Sequence, residues 1–262
     1  MYRPTSFSQL PETVKNLLII NGLFFLAKMT LASEIDMDKL FALHPFQSPD
    51  FEPYQLITHM FMHGDLTHLF FNMFAIWMFG KVLENVWGGK RFLIYYIVTG
   101  LGAMILYSIV QQIQISVLEA KMTIEQIQHV ASDKGYDCYK EMIQLSQNGQ
   151  KQFGNIFFSE YQIQTQNMVD LISLYYTPVL GASGALFGIL LGFGMLFPNT
   201  LLYLYFAIPV KAKYFVIGYG VLELFLSIMN TNDGVAHFAH LGGMLFGFLL
   251  LKYWQKDRNT FY

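Results

Sequence analysis

The sequence predicts an all-α membrane protein: six spanning helices, with a long helical insertion outside the bilayer between the third and fourth. Three observations carry that prediction. Apolar residues make up 54% of the 262-residue chain and charged residues only 13%, against roughly 25% charged in an ordinary soluble domain. The charges are segregated, so that long apolar runs are left between them. Those runs are close to the ~20 residues that cross a bilayer as helix. A net charge of −2 gives nucleic acid nothing to bind. The single cysteine, Cys138, excludes an internal disulfide. The polar start, "MYRPTSFSQLPETVK", lacks the pattern of a cleavable signal.

The first span is predicted at 15–33, interrupted by Asn21 and Lys28. The second covers 60–80 ("MFMHGDLTHLFFNMFAIWMFG"), the third 92–112, the fourth 178–197 and the fifth 209–229. The sixth covers 236–254 ("AHFAHLGGMLFGFLLLKYW"). Residues 1–113 thus hold the N-terminal tail and spans one to three, and residues 177–262 hold spans four to six with a short C-terminal tail. Between them, 114–176 is polar and Gln-rich. Its helix-like stretches are "SVLEAKMTIEQIQHVAS", "DCYKEMIQLSQ" and "SEYQIQTQNMVDLISLYY", and Asn148-Gly149 is a turn signal. His129 and Cys138 within it lack metal-ligand spacing. "LYFAIP" (204–209) is expected as an interfacial loop.

Basic residues in short loops orient the bundle. Arg3, Lys15, Lys81, Lys90, Arg91, Lys211, Lys213, Lys252, Lys256 and Arg258 fall on one side if both termini are cytoplasmic. The insertion is then extracytoplasmic.

Polar groups inside apolar runs are functional candidates by default, because hydrocarbon penalises them. Ser183 stands about one turn into the fourth span, His68 and Asn72 lie in the second, and His237 and His240 open the sixth. These three spans run in the same direction, so at roughly 1.5 Å per residue the groups share one layer in the outer part of the bilayer. The set suits acyl transfer. A serine hydroxyl needs a base, most often histidine, and a developing oxyanion needs preorganised donors. His68 and Asn72, at i and i+4, present an imidazole and an amide on one helix face. The Ser183 backbone N–H, in a first helical turn, has no intrahelical acceptor.

His240 lies deeper than His237 and precedes Leu241-Gly242-Gly243, which makes it the expected base. His237 is read as a loop-edge residue, and His63 as a structural aid that bonds the preceding loop. Gly184, Gly188 and Gly192 form a small-residue stripe on span four, matched by Gly243 and Gly247 on span six. Such stripes let membrane helices approach closely. Gly181 and Ala182 leave room above the serine. Phe187, at i+4 from Ser183, either floors the pocket and holds the His240 ring or is an ordinary core aromatic. Glu84 is expected to pair with Lys90 or Arg91, or to cap the following helix. Glu223, inside span five, needs a partner that the sequence does not name.

Together, "PYQLITHMFMHGDLTHLFFNMFAIWMFG", "LENVWGGKRFLIYY", "TPVLGASGALFGIL" and "AHFAHLGGMLFG" resemble the signatures of the rhomboid intramembrane serine proteases. His63, His68 and Asn72 match the family's H-x4-H-x3-N. Gly181-Ala182-Ser183-Gly184 matches its GxSG. Ala239-His240-Leu241-Gly242-Gly243, with Gly247, matches its AHxGG and GxxxG. The resemblance covers about 50–110 and 175–254. It implies a Ser183–His240 dyad with no acidic third member, and an oxyanion site of His68, Asn72 and the Ser183 backbone. It also implies cleavage of single-pass transmembrane substrates near their outer ends, without metal or cofactor. By position, 230–236 matches the family's cap over the site, and span five the side past which substrate enters. The 114–176 insertion is longer than is usual in the family.

Rival readings fare worse. A transporter predicts inverted repeats and broken helices, and the chain shows no internal repeat. A zinc protease calls for His-Glu-x-x-His, which is absent. A catalytically inactive rhomboid-like protein that binds membrane clients is the remaining alternative, and the presence of both Ser183 and His240 speaks against it.

Overall fold

The computed structural model describes residues 10–147, 161–204, 207–229 and 236–256. Its helices are α1 (Glu12–Thr30), α2 (Met37–Phe41), α3 (Gln55–Thr58), α4 (Leu66–Trp87), α5 (Gly89–Glu119), α6 (Ile124–Val130), α7 (Asp133–Gln147), α8 (Gln166–Tyr176), α9 (Ser183–Leu196), α10 (Ala212–Met229) and α11 (His237–Lys256). Strands β1 (Leu201–Leu204) and β2 (Ile208–Lys211) pair antiparallel, with Leu201 opposite Lys211. They flank part of the stretch expected as an interfacial loop. The Asn148-Gly149 turn and nearly all of the 230–236 loop lie outside the described residues.

Each predicted span corresponds to a helix. Among the described residues, α4, α5 and α10 are long and apolar enough to cross a membrane, and α9 is a shorter apolar helix. The chain forms two compact units. One comprises 1–42, 56–107 and 180–262, the other 43–55 and 108–179.

The first unit is organised around Val14, Leu17, Met60, Ile76, Phe79, Leu83, Phe92, Tyr96, Ile189 and Phe193. The second predicted span begins later than expected. Met60 and Met62 are buried in a short 3-10 turn and the segment after it. The helix starts only at Leu66, where the Asp65 carboxylate accepts the His68 backbone N–H at 2.8 Å as an N-cap. Within α4, residues Ile76–Gly80 form a wide π turn. The Cβ that Gly80 lacks would meet Phe92 at 3.0 Å and Val14 at 3.2 Å.

The polar interruptions in α1 have local explanations. The Asn21 amide donates back to the Leu17 carbonyl at 2.8 Å. Lys28 pairs with Asp38 at 2.7 Å and donates to the His63 carbonyl at 2.9 Å, which ties α1 to the segment leading into α4. Glu84 does not pair with Lys90 or Arg91, nor cap the next helix. Its buried carboxylate accepts the Thr13 and Val14 N–H groups at 2.9 and 2.7 Å. It thereby caps α1, whose own N-cap residue, Pro11, offers no side-chain acceptor.

The second unit packs Ile115, Val130, Cys138, Ile163, Met168, Leu171 and Ile172 around Tyr175 and Tyr176. A capping box between Thr123 and Gln126 starts α6. It therefore breaks the stretch that the sequence reads as one helical segment from 116 to 132. The Tyr176 hydroxyl donates to the Val130 carbonyl at 2.9 Å, and the His129 ring meets the Tyr161 carbonyl at 2.6 Å.

Candidate active site

Ser183 is the first residue of α9, so its backbone N–H points out of the helix without an intrahelical acceptor. The turn before it depends on Gly181, whose φ of +122° lies where a side chain is strained. The Gly181 N–H donates to the His59 carbonyl at 2.9 Å. A Cβ on Gly181 would stand 2.9 Å from the His68 ring and 3.7 Å from Ser183 Oγ. The missing side chain is therefore the space between His68 and the serine. Sequence reasoning finds that glycine but misses the His59 carbonyl that anchors it; a backbone acceptor leaves no mark on residue type.

His68 meets the Gly64 N–H with Nδ1 at 3.4 Å, a long contact that makes Nδ1 the acceptor. Nε2 then carries the proton and faces the space beside Gly181. Asn72 is buried one turn on, and its amide donates to the His68 carbonyl at 2.9 Å. One of its two N–H groups is thus committed to its own helix and one is left. His63 is buried, in the loop before α4 rather than in a helix, and its ring packs edge-on against His68 at 5.0 Å.

His240 comes from α11, which crosses α9 at a backbone-to-backbone contact. A Cβ on Gly243 would sit 1.9 Å from the Gly184 carbonyl oxygen, and one on Gly247 3.3 Å from the Gly188 Cα. The span-four stripe serves a different neighbour. Cβ atoms on Gly184 and Gly188 would each approach α5 to 2.5 Å, at Ala103 and at Thr99. The two glycine stripes therefore do not simply face each other. Those of α9 seat it on α5, while Gly243 brings α11 onto α9. The result is a His240 Nε2 to Ser183 Oγ distance of 3.0 Å. Phe187 lies flat on the His240 ring, centroids 4.1 Å apart and planes 9° from parallel, and its other side meets Tyr219 at 5.0 Å between centroids.

One expectation changes and one open question is answered. His237 is not a loop-edge residue: it is buried as the first residue of α11 and bonds Glu223 Oε2 through Nδ1 at 2.7 Å. Glu223 has its missing partners, because His240 Nδ1 reaches the same oxygen at 3.0 Å. Glu223, His237 and His240 hold ligand-type atoms within 4.8 Å of one another, in a chain whose sequence implies no metal. In the structure, each imidazole bonds the carboxylate directly.

The matching family model is that of the Rhomboid domain, and it covers residues 50–117 and 140–255. The chain belongs to the rhomboid family. This rhomboid is 27% identical over 236 residues to RHOMBOID-like protein 12, mitochondrial, of Arabidopsis thaliana, an alignment covering 88% of this chain and 55% of that protein. It is 39% identical over 66 residues to RHOMBOID-like protein 6, mitochondrial, of the same plant, covering 25% of this chain and 22% of the relative. An uncharacterized mitochondrial rhomboid protein of Schizosaccharomyces pombe is 38% identical over 87 residues, covering 30% and 22%. The rhomboid described here spans about half the length of the first relative and about a fifth of the others. Family membership and three helices of spanning length make it an integral membrane protein.

Proposed function

We propose that this rhomboid is an intramembrane serine endopeptidase that cleaves transmembrane-anchored proteins near the outer membrane face through an acyl-enzyme. The observation that carries the reading is the 3.0 Å approach of His240 Nε2 to Ser183 Oγ, within general-base reach. His240 takes the hydroxyl proton as Ser183 Oγ bonds to the scissile carbonyl carbon. The resulting oxyanion is met by the Ser183 N–H, by His68 Nε2–H and by the free Asn72 N–H. Collapse breaks the C–N bond, and Nε2 returns the proton to the leaving amine. Water, activated by the same imidazole, then hydrolyses the ester.

All six helices span in this reading, with both termini cytoplasmic and the 114–176 segment extracytoplasmic. The substrates are single-pass transmembrane proteins. A helical substrate hides its peptide bonds in hydrogen bonds that hydrocarbon cannot replace, so it must unwind into the polar layer. Small or helix-breaking residues near the cut favour that step.

The test treats the purified protein in liposomes with a serine-directed fluorophosphonate and maps the adduct. In parallel it follows cleavage of a single-pass reporter with small residues at its outer end. Labelling at Ser183 that disappears in His240→Ala, with cleavage indifferent to chelators, supports the proposal. Cleavage by Ser183→Ala at the wild-type rate would refute it. A folded protein that neither labels nor cleaves, yet retains the reporter, makes it the inactive client-binding member.

A further inference from the structure

Helix α10 turns one stripe inward. Val216, Glu223 and Ser227 are buried, while Val221, Leu222, Leu224 and Phe225 are exposed on its outer side. A carboxyl buried in an otherwise lipid-facing helix is costly, and the family resemblance leaves it without a task. We infer that Glu223 is a positioning residue that sets the tautomer and orientation of His240, turning the Ser183–His240 pair into a Ser–His–Glu triad with His237 as its second anchor. The inference rests on the serine-hydrolase reading above.

An ionised carboxylate only accepts, so His240 Nδ1, 3.0 Å from Glu223 Oε2, must carry the proton. A neutral imidazole has one N–H, so Nε2 is then a bare acceptor, and it is Nε2 that lies 3.0 Å from Ser183 Oγ. That tautomer is the one a base needs to take the hydroxyl proton. Without Glu223 the ring would be free to hold its proton on Nε2 and face the serine as a donor.

Phe187 cannot make this choice. Stacking at 9° between planes fixes the plane of the imidazole. It is equally satisfied when the ring is turned over by a half-turn about its Cβ–Cγ bond, which puts a carbon where each nitrogen stood. The carboxylate removes the degeneracy because only one edge of the ring meets it. When the proton moves from Ser183 to Nε2, the imidazolium that forms already touches a carboxylate, in surroundings where little water screens the attraction. The carboxylate keeps its charge throughout; it takes no proton.

His237 explains how the carboxylate stays in place. Its Nδ1 donates to the same Oε2 at 2.7 Å, the shorter of the two bonds. The two rings stand nearly perpendicular, at 89° with centroids 6.3 Å apart, so both reach one oxygen without overlapping. A second donor offsets the desolvation of the buried anion, and His240 does not have to hold it alone. The two histidines are three residues apart on α11, on one face, and a single carboxylate from α10 answers both.

The test uses the full-length protein in liposomes. Glu223→Gln keeps the size of the side chain and removes the charge. We expect kcat on the reporter and the rate of fluorophosphonate attachment to Ser183 to fall by on the order of 10²–10⁴-fold, with KM little changed. A purely structural role would lower the yield of folded protein, while the folded fraction would keep the wild-type kcat and labelling rate.

Glu223→Asp retains the charge with a shorter reach and should recover part of the lost rate. If Glu223→Gln does not fold, Glu223→Asp alone decides, with an expected loss of about tenfold or more from the misplaced carboxylate. Labelling of the folded variant at the wild-type rate would overturn the inference and leave the hydrolase intact. Activity that chelators abolish and zinc restores would make the three residues a metal site and overturn both the inference and the serine-hydrolase reading. Wild-type protein that never labels at Ser183 sinks both readings together.

Discussion

Replacing Gly243 with alanine tests how the two reacting side chains are brought together. The added Cβ would lie 1.9 Å from the Gly184 carbonyl oxygen, where real Cβ atoms essentially never come within 3.0 Å. The obstruction is backbone, so no rotamer change relieves it, and α11 must retreat from α9 by at least the difference, 3.0 − 1.9 = 1.1 Å. Gly184 adjoins Ser183, and His240 lies one turn before Gly243, so the retreat passes almost directly to the reacting pair. A separation of 3.0 Å becomes about 4.1 Å, past the ~3.2 Å limit for a positioned base. A misplacement of this size costs roughly 10²-fold in rate, or about 2.7 kcal/mol of transition-state stabilisation. The assay is single-turnover fluorophosphonate labelling of Ser183, normalised to folded protein, beside reporter cleavage. Gly218→Ala is the control. It lies on α10 with nothing within 4 Å of its missing Cβ, and it should label at the wild-type rate. A folded Gly243→Ala protein that labels as fast as wild type would refute the claim that this crossing delivers His240.

Two further predictions concern stability and the second unit. Glu84→Ala leaves the Thr13 and Val14 N–H groups without their acceptor. Thermal or denaturant unfolding should show a loss of about 2 kcal/mol, with Ser183 labelling at low temperature unchanged. Cys138 is fully buried in the second unit, and burial, with help from nearby Glu141, pushes its thiol up to about 11. Iodoacetamide at pH 8 should therefore leave it unmodified until the protein is unfolded, as mass spectrometry of the intact and denatured protein will show; rapid modification of the native protein would contradict the packing of that unit.

Much of the candidate site is readable in the sequence because its parts are local. Ser183 at a glycine-rich helix start, His68 and Asn72 one turn apart, and His240 ahead of a glycine pair all fall within short windows, where helix period and apolar context apply. The shift of the second helix start from 60 to 66 is legible in retrospect, since Gly64-Asp65 is a break followed by a cap. The partners of Glu223 and Glu84 are not. Glu223 meets His237 and His240 across two helices, and Glu84 caps a helix that begins some seventy residues earlier. Nothing in a residue's immediate neighbourhood encodes contacts of that kind.

By itself, the sequence determined that this is a helical membrane protein of rhomboid type, with a serine and a histidine each near the start of an apolar helix. Helix length, apolar runs and the place of polar groups along each helix follow from the rise per residue and the exclusion of charge from hydrocarbon, and neither depends on how the helices pack. Only the tertiary structure decided which helix each glycine stripe serves, that Gly181 makes room for the His68 ring, and that a carboxylate from α10 meets both histidines of α11. Those are contacts between elements. They depend on the crossing of α11 over α9 at Gly243 and on which face α10 turns inward, and a one-dimensional pattern leaves both open.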